Sequence, residues 1–487
     1  MKYLLFLFLL VLPPFSSAET DSMSEILKIA AKQLNTKRLI VKRTSANFCI
    51  VQRENKEGFV IVAKHGNIPK RIIGYSEGCA WDEQNLPPVL LKWMDRLEST
   101  DISDAAIDSI APIQRNHSVP PLLTCHWHQQ SPYNDLAPVI MDGNVKTAAG
   151  CVAIAAAQIA YYWRKDNPSN TLRDTPIYPY GAAPVTLSIP KGTPNKWDLM
   201  QDRYTTDDSP ESRYAAAQLC YVLGTTSYLN YASSTGGSIN DASNALYSQY
   251  NLISEYTTRN KHNLKEWKEL LYNDIERGYP VLCAGNDGDG HAFVLDGFNH
   301  ENDLYHFNFG WGGAGDGYYP IDDSELSMGG YYKNQSVVYN ILPKNRNIAA
   351  TLNCIAVNDT TTLINAVSEI CNNSTLPIKQ LCLYNVPQDS SIEKTKDPIW
   401  TGNEIANDGH KYVIQISFSR PSTEHNTLFL TDQDKNILTQ CHFDISNGIG
   451  NNRTIPEKNQ IYNLHGQETK EIKHGIYIIN GNRVIIK

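Results

Sequence analysis

The run TAAGCVAIAAAQIAYYW, at residues 147–163, constrains the fold of this chain more than any other stretch. Small and apolar residues dominate it, and after Gly150 no Gly or Pro interrupts the sequence until Pro168. Such a run predicts a buried helix with Cys151 in its first turn. Because a helix N-terminus carries about half a positive charge and unpaired N–H groups, it favours a thiolate there. A buried structural cysteine is the competing interpretation, and residues far downstream decide between the two.

The composition bounds the class of protein. A chain of 487 residues is longer than one hydrophobic core usually holds, so we expect several domains. Hydrophobic residues make up 41% and charged residues 19%, which is typical of globular proteins. The net charge of −8, without a basic cluster, argues against nucleic acid as a partner. The 10 cysteines show no spacing typical of a disulfide framework, and Cys371 and Cys382 are the nearest plausible pair.

The first 18 residues, MKYLLFLFLLVLPPFSSA, have the features of a secretory signal peptide. Lys2 supplies the positive end, an apolar core follows, and small residues precede the expected cleavage site. The apolar core is too short to span a bilayer. We therefore expect a protein that is secreted or held at the cell surface, with an uncut N-terminal segment as the alternative.

Three units follow this segment. The first has a predicted helix, two predicted strands and a second predicted helix, which suits an α+β pro-segment placed before an enzyme. It ends in a polar, Pro-containing connector at residues 101–121, where a maturation cut would be tolerated. In the second unit helices cluster early and strands late, which indicates α+β and not alternating βαβ units. The third unit consists of short strands and turn residues, typical of a β-sandwich.

The second unit contains the groups that a cysteine peptidase needs: a thiolate, an imidazole, a group that orients the imidazole, and an oxyanion hole. His291 begins the apolar stretch HAFVLDGF directly after the Gly-rich residues 285–290, so we expect it at a strand end facing a cleft. Asn308 follows in the next predicted strand, and we expect its amide to hydrogen-bond the imidazole and fix its tautomer.

Two further residues complete the expected site. Trp311 is placed to cover the His–Asn bond and exclude water. Gln129, upstream of the cysteine, is expected to supply one oxyanion donor, with the backbone N–H of Cys151 as the other. Each residue alone is weak evidence, since a lone histidine on an apolar strand is usually structural. The order Gln, Cys, His, then Asn-x-x-Trp, with the cysteine at a helix start, is much more specific.

Six stretches of the second unit resemble, in order, the streptopain family of papain-like cysteine peptidases. They are WHQQSPYN (residues 127–134), AAGCVAIAAAQIAYYW (148–163), KWD (196–198), YASSTGG (231–237), GHAFVLDGF (290–298) and NFGWGGAGDGYY (308–319). The first unit resembles the family's inhibitory pro-domain in GFVIVAKHGNIPKRIIGYS (58–76) and NLPPVLLKWM (85–94). The resemblance implies a secreted endopeptidase made as a zymogen, acting on proteins or peptides through a thioester acyl-enzyme.

By this resemblance Cys151 is the nucleophile, His291 the base, Asn308 the orienting amide and Gln129 the oxyanion donor. The resemblance also implies substrate-binding positions, which are Trp197, Ser233, Ser234, Gly236, Gly237 and Gly290. It implies an α+β fold with a papain-like catalytic domain. The expected segments are a signal peptide (1–18), an inhibitory pro-domain (19–115), the catalytic domain (116–345), a β-sandwich-like domain (346–460) and a sorting segment (461–487).

Two details of the resemblance need comment. The family usually has Trp directly after the orienting Asn, whereas this chain has Phe309, so the indole N–H is lost and we expect activity to survive with altered subsites. Residues 461–487, with YNLHGQ and HGIYIINGNRVIIK, resemble the C-terminal sorting segment of proteins exported by the type IX system. That resemblance implies outer-membrane secretion machinery as a partner, and an ordinary terminal hairpin is the alternative.

A metal site is the first rival interpretation. Cys125, His126 and His128 lie close together, and on a strand the two histidines would share a face. A zinc site needs four ligands, or three plus water, and the sequence has no second cluster with ligand spacing. DGDG at residues 287–290 resembles part of a calcium loop but lacks its later Glu. We therefore predict neither metal nor cofactor.

Three other functions compete with peptide hydrolysis. Transglutaminase-like acyl transferases use the same Cys–His core but usually orient the histidine with Asp, so Asn308 favours hydrolysis. A surface binding protein derived from a protease, or an inhibitor built on the pro-domain, would not need all four polar groups of the site. We therefore expect an enzyme that its own pro-domain inhibits.

Overall fold

The computed structural model describes residues 17–54, 57–64, 71–99, 115–140, 145–168, 170–287, 289–321, 333–355, 363–387, 390–423, 425–444, 461–463, 475–479 and 482–486. Nearly all of the expected signal peptide and most of the connector expected to hold the maturation cut lie outside these residues. Contacts divide the chain into two compact units. The larger compact unit comprises residues 1–162 and 169–344, and the smaller compact unit comprises residues 163–168 and 345–487.

The larger compact unit is built on a ten-stranded antiparallel sheet with the strand order β1-β2-β3-β4-β11-β10-β9-β8-β12-β7. Its strands are β1 (Leu39–Thr44), β2 (Phe48–Arg53), β3 (Phe59–Ala63), β4 (Ile72–Ser76), β7 (Leu252–Thr258), β8 (Val281–Asp287), β9 (Asp289–Asn299), β10 (Leu304–Asn308), β11 (Gly317–Tyr319) and β12 (Lys333–Pro343), with β5 (Val139–Ile140) and β6 (Val145–Lys146) as a separate pair.

Helices cover this sheet. They are α1 (Ser17–Gln33), α2 (Pro88–Ser99), α3 (Cys151–Tyr162), α4 (Pro210–Thr226), α5 (Ile239–Tyr250) and α6 (Leu264–Arg277). The predicted buried helix is α3, and its residues from Val152 to Tyr161 are all buried, which explains why its sequence has no polar face. Among the described residues, no helix is both long and apolar enough to cross a membrane.

The sequence of β3, FVIVA, is apolar throughout because both faces of the strand are covered. Phe59 and Ile61 belong to one cluster of buried residues, which includes Leu90 and Trp93 of α2. Val60 and Val62 belong to another, which includes residues of α1. Alternate side chains of a strand point to opposite faces, so a strand between two helices has no place for a polar residue.

The expected pro-domain and catalytic domain share this sheet and its core. β4 pairs with β11 through Tyr75 and Tyr318, whose rings stack with centroids 4.6 Å apart. Trp93 of α2 lies edge-on to Tyr319, with centroids 5.4 Å apart. The two expected segments therefore form one compact unit in the structure, because the pro-domain extends the catalytic sheet at the edge of β11.

The smaller compact unit is built mainly of β-strands in its described residues, as the sequence predicts for the segment after the catalytic domain. Its six-stranded sheet has the order β13-β14-β17-β22-β21-β20, and its four-stranded sheet has the order β16-β15-β18-β19. Buried residues of both sheets form one core, as in a sandwich. The strands are β13 (Ile348–Ile355), β14 (Leu363–Asn372), β15 (Cys382–Pro387), β16 (Trp400–Thr401), β17 (Lys411–Ser419), β18 (His425–Thr431), β19 (Ile437–Asp444), β20 (Ile461–Asn463), β21 (Gly475–Ile479) and β22 (Asn482–Ile486).

Two details of this unit concern residues 163–168 and two of its cysteines. Residues 163–168, which follow α3 directly, belong to it, because the Asp166 carboxylate accepts the backbone N–H groups of Asn347 at 2.9 Å and Thr375 at 3.0 Å. Cys371 and Cys382 are both free thiols, and the Cys371 thiol donates to the Gly409 carbonyl at 3.1 Å.

Candidate active site

The backbone turn before α3 places Cys151 at the helix N-terminus. Gly150 has a φ of +94°, which L side chains rarely adopt. A Cβ at this position would also lie 2.8 Å from Thr235 Cγ2 and 3.1 Å from Leu229 Cδ1. The Gly150 carbonyl accepts the Ile154 N–H at 3.0 Å, which closes the first turn of the helix. Glycine is therefore required here both by backbone conformation and by space.

The Cys151 thiol is hydrogen-bonded to His291. Burial alone would raise the pKa of Cys151. The hydrogen bond and charge of His291, with the backbone N–H groups of Ala292 and Val152, outweigh burial and lower that pKa below its ordinary value of 9.0. His291 is 8% exposed and lies opposite Gly285 in the β8–β9 hairpin. The Gly-rich stretch before it is thus part of a paired hairpin, and not only the loop that the sequence suggested.

A backbone carbonyl orients the imidazole. His291 Nε2 donates to the Phe309 carbonyl at 2.8 Å, so the proton lies on Nε2 and the other ring nitrogen faces the thiol. The sequence assigned this role to the Asn308 side chain, and the structure corrects that prediction. Asn308 Oδ1 accepts from Gln158 Nε2 at 3.0 Å and from the Gly310 N–H at 3.1 Å, and Nδ2 donates to the Cys125 carbonyl at 2.9 Å.

Asp316 fixes the other side of Phe309. Its Oδ1 accepts the Phe309 N–H at 2.8 Å, and its Oδ2 lies 3.2 Å from His126 Nδ1. Asp316 is 4% exposed, so the carboxylate is shielded from water. The side chains of Asn308 and Asp316 therefore hold the backbone on both sides of the carbonyl that His291 contacts.

The remaining predicted site residues lie around this pair. The Gln129 carbonyl accepts the Ala149 N–H at 3.0 Å, which brings Gln129 beside the segment that leads into Cys151, and its side chain is half-buried. The Trp311 ring centroid lies 6.3 Å from that of His291, and Trp311 is 38% exposed.

The predicted substrate-binding residues fall into two groups. Ser233, Ser234, Gly236, Gly237 and Gly290 are exposed. Trp197 is only 7% exposed and packs against Tyr250, so its contact with a substrate is limited. The sequence missed Thr235, whose Oγ1 donates to the Ala148 carbonyl at 2.9 Å and ties the loop at residues 231–237 to the helix start.

The residues considered as metal ligands have other partners. The His126 ring contacts Asp316, His128 Nδ1 accepts the Gln130 N–H at 3.1 Å, and Cys125 Sγ donates to Gln158 Oε1 at 3.8 Å. Within the described part of the chain, no group of three or more His, Cys, Asp or Glu side chains is arranged to hold a metal ion.

The pro-domain contacts the loop between β10 and β11. The Cys79 thiol donates to the Asp316 carbonyl at 3.3 Å, and burial raises the pKa of Cys79 to about 12, so the thiol is a neutral donor. An added Cβ at Gly315 would lie 2.9 Å from Leu90 Cδ2 and 3.0 Å from Pro87 Cδ. The pro-domain thus packs closely on the loop that carries the partner of His291.

A thiol at a helix N-terminus, paired with an imidazole from an antiparallel sheet, defines a papain-like cysteine peptidase, here with an attached domain that extends its sheet. Comparison with known proteins gives a family match for each of these two segments. Residues 127–319 match the Peptidase C10 family, and residues 17–100 match the Spi protease inhibitor. The first of these segments is thus a C10 peptidase domain, and the segment before it is an inhibitory pro-domain.

Relatives and a solved structure agree with this assignment. Thiol protease/hemagglutinin PrtT of Porphyromonas gingivalis is 28% identical over 334 residues, which cover 62% of this chain and 38% of PrtT. Streptopain of Streptococcus pyogenes is 28% identical over 319 residues, which cover 59% of this chain and 78% of streptopain. A fragment of Prevotella intermedia prointerpain A has a TM-score of 0.52 at 26% identity, with coverage of 63% of this chain and 99% of the fragment. These matches confirm the predicted class, a thiol protease with an inhibitory pro-domain.

Proposed function

We propose that this protein is an exported cysteine endopeptidase made as a zymogen, with Cys151 as nucleophile and His291 as general base and acid. The observation that carries the proposal is the hydrogen bond between these two side chains, at a helix N-terminus, with the pKa of Cys151 lowered despite burial. A thiolate is the reactive form of cysteine, so a lowered pKa is what acyl transfer requires.

The proposed reaction has two steps. The Cys151 thiolate attacks a peptide carbonyl, while the Cys151 N–H and the Gln129 side chain stabilise the oxyanion, where one such donor is typically worth roughly 3–4 kcal/mol. The imidazolium of His291 protonates the leaving amine, which leaves a thioester. His291 then takes a proton from water and the resulting hydroxide attacks the thioester. The acid product leaves, and the Cys151 thiolate and the His291 imidazolium are restored.

The remaining segments support a secreted zymogen. Residues 1–18 act as the export signal, and residues 461–487 act as a sorting segment for outer-membrane secretion machinery. The pro-domain (19–115) inhibits the catalytic domain (116–345) until a cut within residues 101–121 releases it, and a β-sandwich domain (346–460) follows. The loop at residues 231–237, in which Ser233, Ser234, Gly236 and Gly237 are exposed, lines the substrate cleft. Resemblance to the family implies a preference for an apolar residue two positions before the cut.

The test uses purified full-length precursor, wild type and Cys151→Ala. We expect the wild type to process itself, hydrolyse peptides and react with a thiol-directed peptide inhibitor, and we expect the mutant to do none of these. Processing of the mutant at the wild-type rate would contradict self-maturation. Incorporation of an amine into a glutamine substrate, without hydrolysis, would indicate an acyl transferase instead.

A further inference from the structure

The apolar helix α3 contains one fully buried amide, Gln158, which is 0% exposed. It lies seven residues after Cys151, which is about two helical turns along the same helix. A buried amide costs stability unless its donors and acceptor are bonded, so its partners show what it holds in place.

Gln158 bonds to two segments outside its own helix. Its Nε2 donates to Asn308 Oδ1 at 3.0 Å. Its Oε1 accepts the Trp127 N–H at 3.3 Å and the Cys125 thiol at 3.8 Å. Asn308 Nδ2 closes a ring by donating to the Cys125 carbonyl at 2.9 Å. One amide therefore joins the helix of the nucleophile to the end of β10 and to the segment before Gln129.

Each of these segments carries one part of the site. Asn308 Oδ1 also accepts the Gly310 N–H at 3.1 Å, and that N–H belongs to the same peptide unit as the Phe309 carbonyl. The Phe309 carbonyl accepts the proton of His291 Nε2 at 2.8 Å. Because a peptide unit is planar, fixing its N–H also fixes its carbonyl. The bond from Gln158 thus reaches the imidazole through Asn308 and one peptide plane.

We propose that Gln158 is a positioning residue for the Cys151–His291 pair, an inference that rests on the proposed peptidase function. Its amide sets the Phe309 carbonyl, which aims the imidazole at the thiol, and it holds the 125–129 segment in register with the helix N-terminus. A residue with this role controls the rate of acyl transfer and the reactivity of the thiol more than it controls the affinity for substrate.

The experiment compares Gln158→Met, Gln158→Glu and a matched control, Gln218→Met, in the mature enzyme. Met retains the length of Gln but neither donates nor accepts. Glu retains the acceptor for the Trp127 N–H but places an oxygen against Asn308 Oδ1. Gln218 is also a buried amide on a neighbouring helix, α4, and its Nε2 donates to the Pro194 carbonyl at 3.1 Å. It takes part in none of the site bonds described above.

We expect Gln158→Met to lower kcat by about 10- to 100-fold with KM changed by less than about threefold, because small misplacements of reacting groups cost rates of this size. Gln158→Glu should lower kcat by a factor in the same range. The rate at which iodoacetamide alkylates Cys151 at neutral pH should fall with kcat. Gln218→Met should lower the melting temperature but leave kcat and the alkylation rate within about twofold of wild type, because it touches no reacting group.

Equal losses of kcat in the Gln158 variants and in Gln218→Met, or a loss that appears only in KM, would overturn the proposal. So would a failure of both Gln158 variants to fold where Gln218→Met folds, since Gln158 would then serve the fold alone. The alkylation rate needs no substrate. A wild-type protein that is alkylated fast but hydrolyses no peptide would refute the proposed function while leaving the role of Gln158 measurable.

Discussion

The two halves of the Cys151–His291 pair are held by different means. On the helix side, the nucleophile is placed by local backbone: the left-handed turn at Gly150 and the first turn of α3. On the strand side, the imidazole depends on the Phe309 carbonyl, which is itself fixed by Asn308 and by Asp316. The first arrangement lies within one stretch of sequence, whereas the second joins residues from separate elements.

The difference shows which half of the pair needs buried side chains to fix its position. A helix start is a common local structure that needs only a permissive residue before it. A carbonyl at the end of β10 has no fixed direction of its own, so buried side chains must hold its peptide unit. We therefore expect substitutions on the strand side to act on the rate through hydrogen bonds, and substitutions on the helix side to act through backbone conformation and packing.

The largest expected effect is that of His291→Ala. It should lower kcat by about 10²- to 10⁴-fold, as is typical when a general acid–base group is lost. It should also move the pH midpoint of Cys151 alkylation above the ordinary thiol value of 9.0, because burial raises the pKa of Cys151 once the opposing charge of His291 is gone. At neutral pH the thiolate fraction, and with it the alkylation rate, should fall.

The measurement is the alkylation rate between pH 5 and 10, roughly the range in which cysteine thiols and histidine titrate, with His128→Ala as the control. His128 packs against Tyr133 and bonds the Gln130 N–H. An unchanged midpoint in His291→Ala would mean that the helix N-terminus alone lowers the pKa of Cys151.

Gly150→Ala tests the helix side. We expect kcat to fall by about 10- to 100-fold, because the positive φ at this position strains any residue with a side chain and costs on the order of 1–3 kcal/mol. The new Cβ would also meet Thr235 Cγ2 at 2.8 Å. Adding Thr235→Ser removes that methyl group but keeps the hydroxyl, so the double mutant should recover part of the melting temperature and little of kcat. Full recovery of kcat would show that crowding, and not φ, dominates.

Substitutions of Asp316 test the strand side through a residue to which Gln158 does not bond. Asp316→Ala should lower kcat by about tenfold, because the buried Phe309 N–H loses its acceptor, and an unsatisfied buried donor costs about 1–3 kcal/mol. Asp316→Asn keeps an oxygen for that N–H and should lose only about threefold. His126→Ala removes the other partner of the carboxylate and is the comparison. If His126→Ala lowers kcat as much as Asp316→Ala, the contact between His126 and Asp316, and not the Phe309 bond, sets the effect.

The sequence predicted the helix side better than the strand side, and the reason is physical. Gly150 and Cys151 act through local conformation, which the run of small and apolar residues already specifies. The partner of His291 is a carbonyl, and every residue has one, so no side-chain pattern distinguishes Phe309. Asp316 and Thr235 reach the site through contacts with His126 and Ala148, which lie far away in the sequence. Gln158 did leave a signal, as the single polar side chain between Cys151 and Tyr161 in an otherwise apolar helix.

The fold was also easier to predict where local sequence decides than where tertiary contacts decide. Two strands of the pro-domain, β2 and β3, were visible as apolar runs, because both of their faces are buried. Their pairing with β11 was not, since Tyr75 and Tyr318 are far apart in the sequence and either could have remained at an edge. Residues 163–168 fall inside the expected catalytic domain (116–345), and the bonds of Asp166 to Asn347 and Thr375 show that they belong to the smaller compact unit.

The smallest expected effect is that of Phe309→Trp, which restores the residue that the streptopain family usually has at this position. The Phe309 ring is fully buried and packs against Phe293, Phe307 and Tyr319, with centroids 6.1, 5.5 and 6.0 Å away. A larger ring should overpack this cluster and lower stability by about 1–3 kcal/mol. Because Phe309 serves the site through its backbone, kcat and the preference among peptide substrates should change by less than about twofold.

Phe307→Trp is the matched control, since it enlarges a ring of the same cluster without touching the backbone that His291 contacts. If Phe309→Trp raises kcat or alters substrate preference and Phe307→Trp does not, the side chain at position 309 takes part in the reaction site, and the division between backbone and side-chain roles on the strand side is wrong.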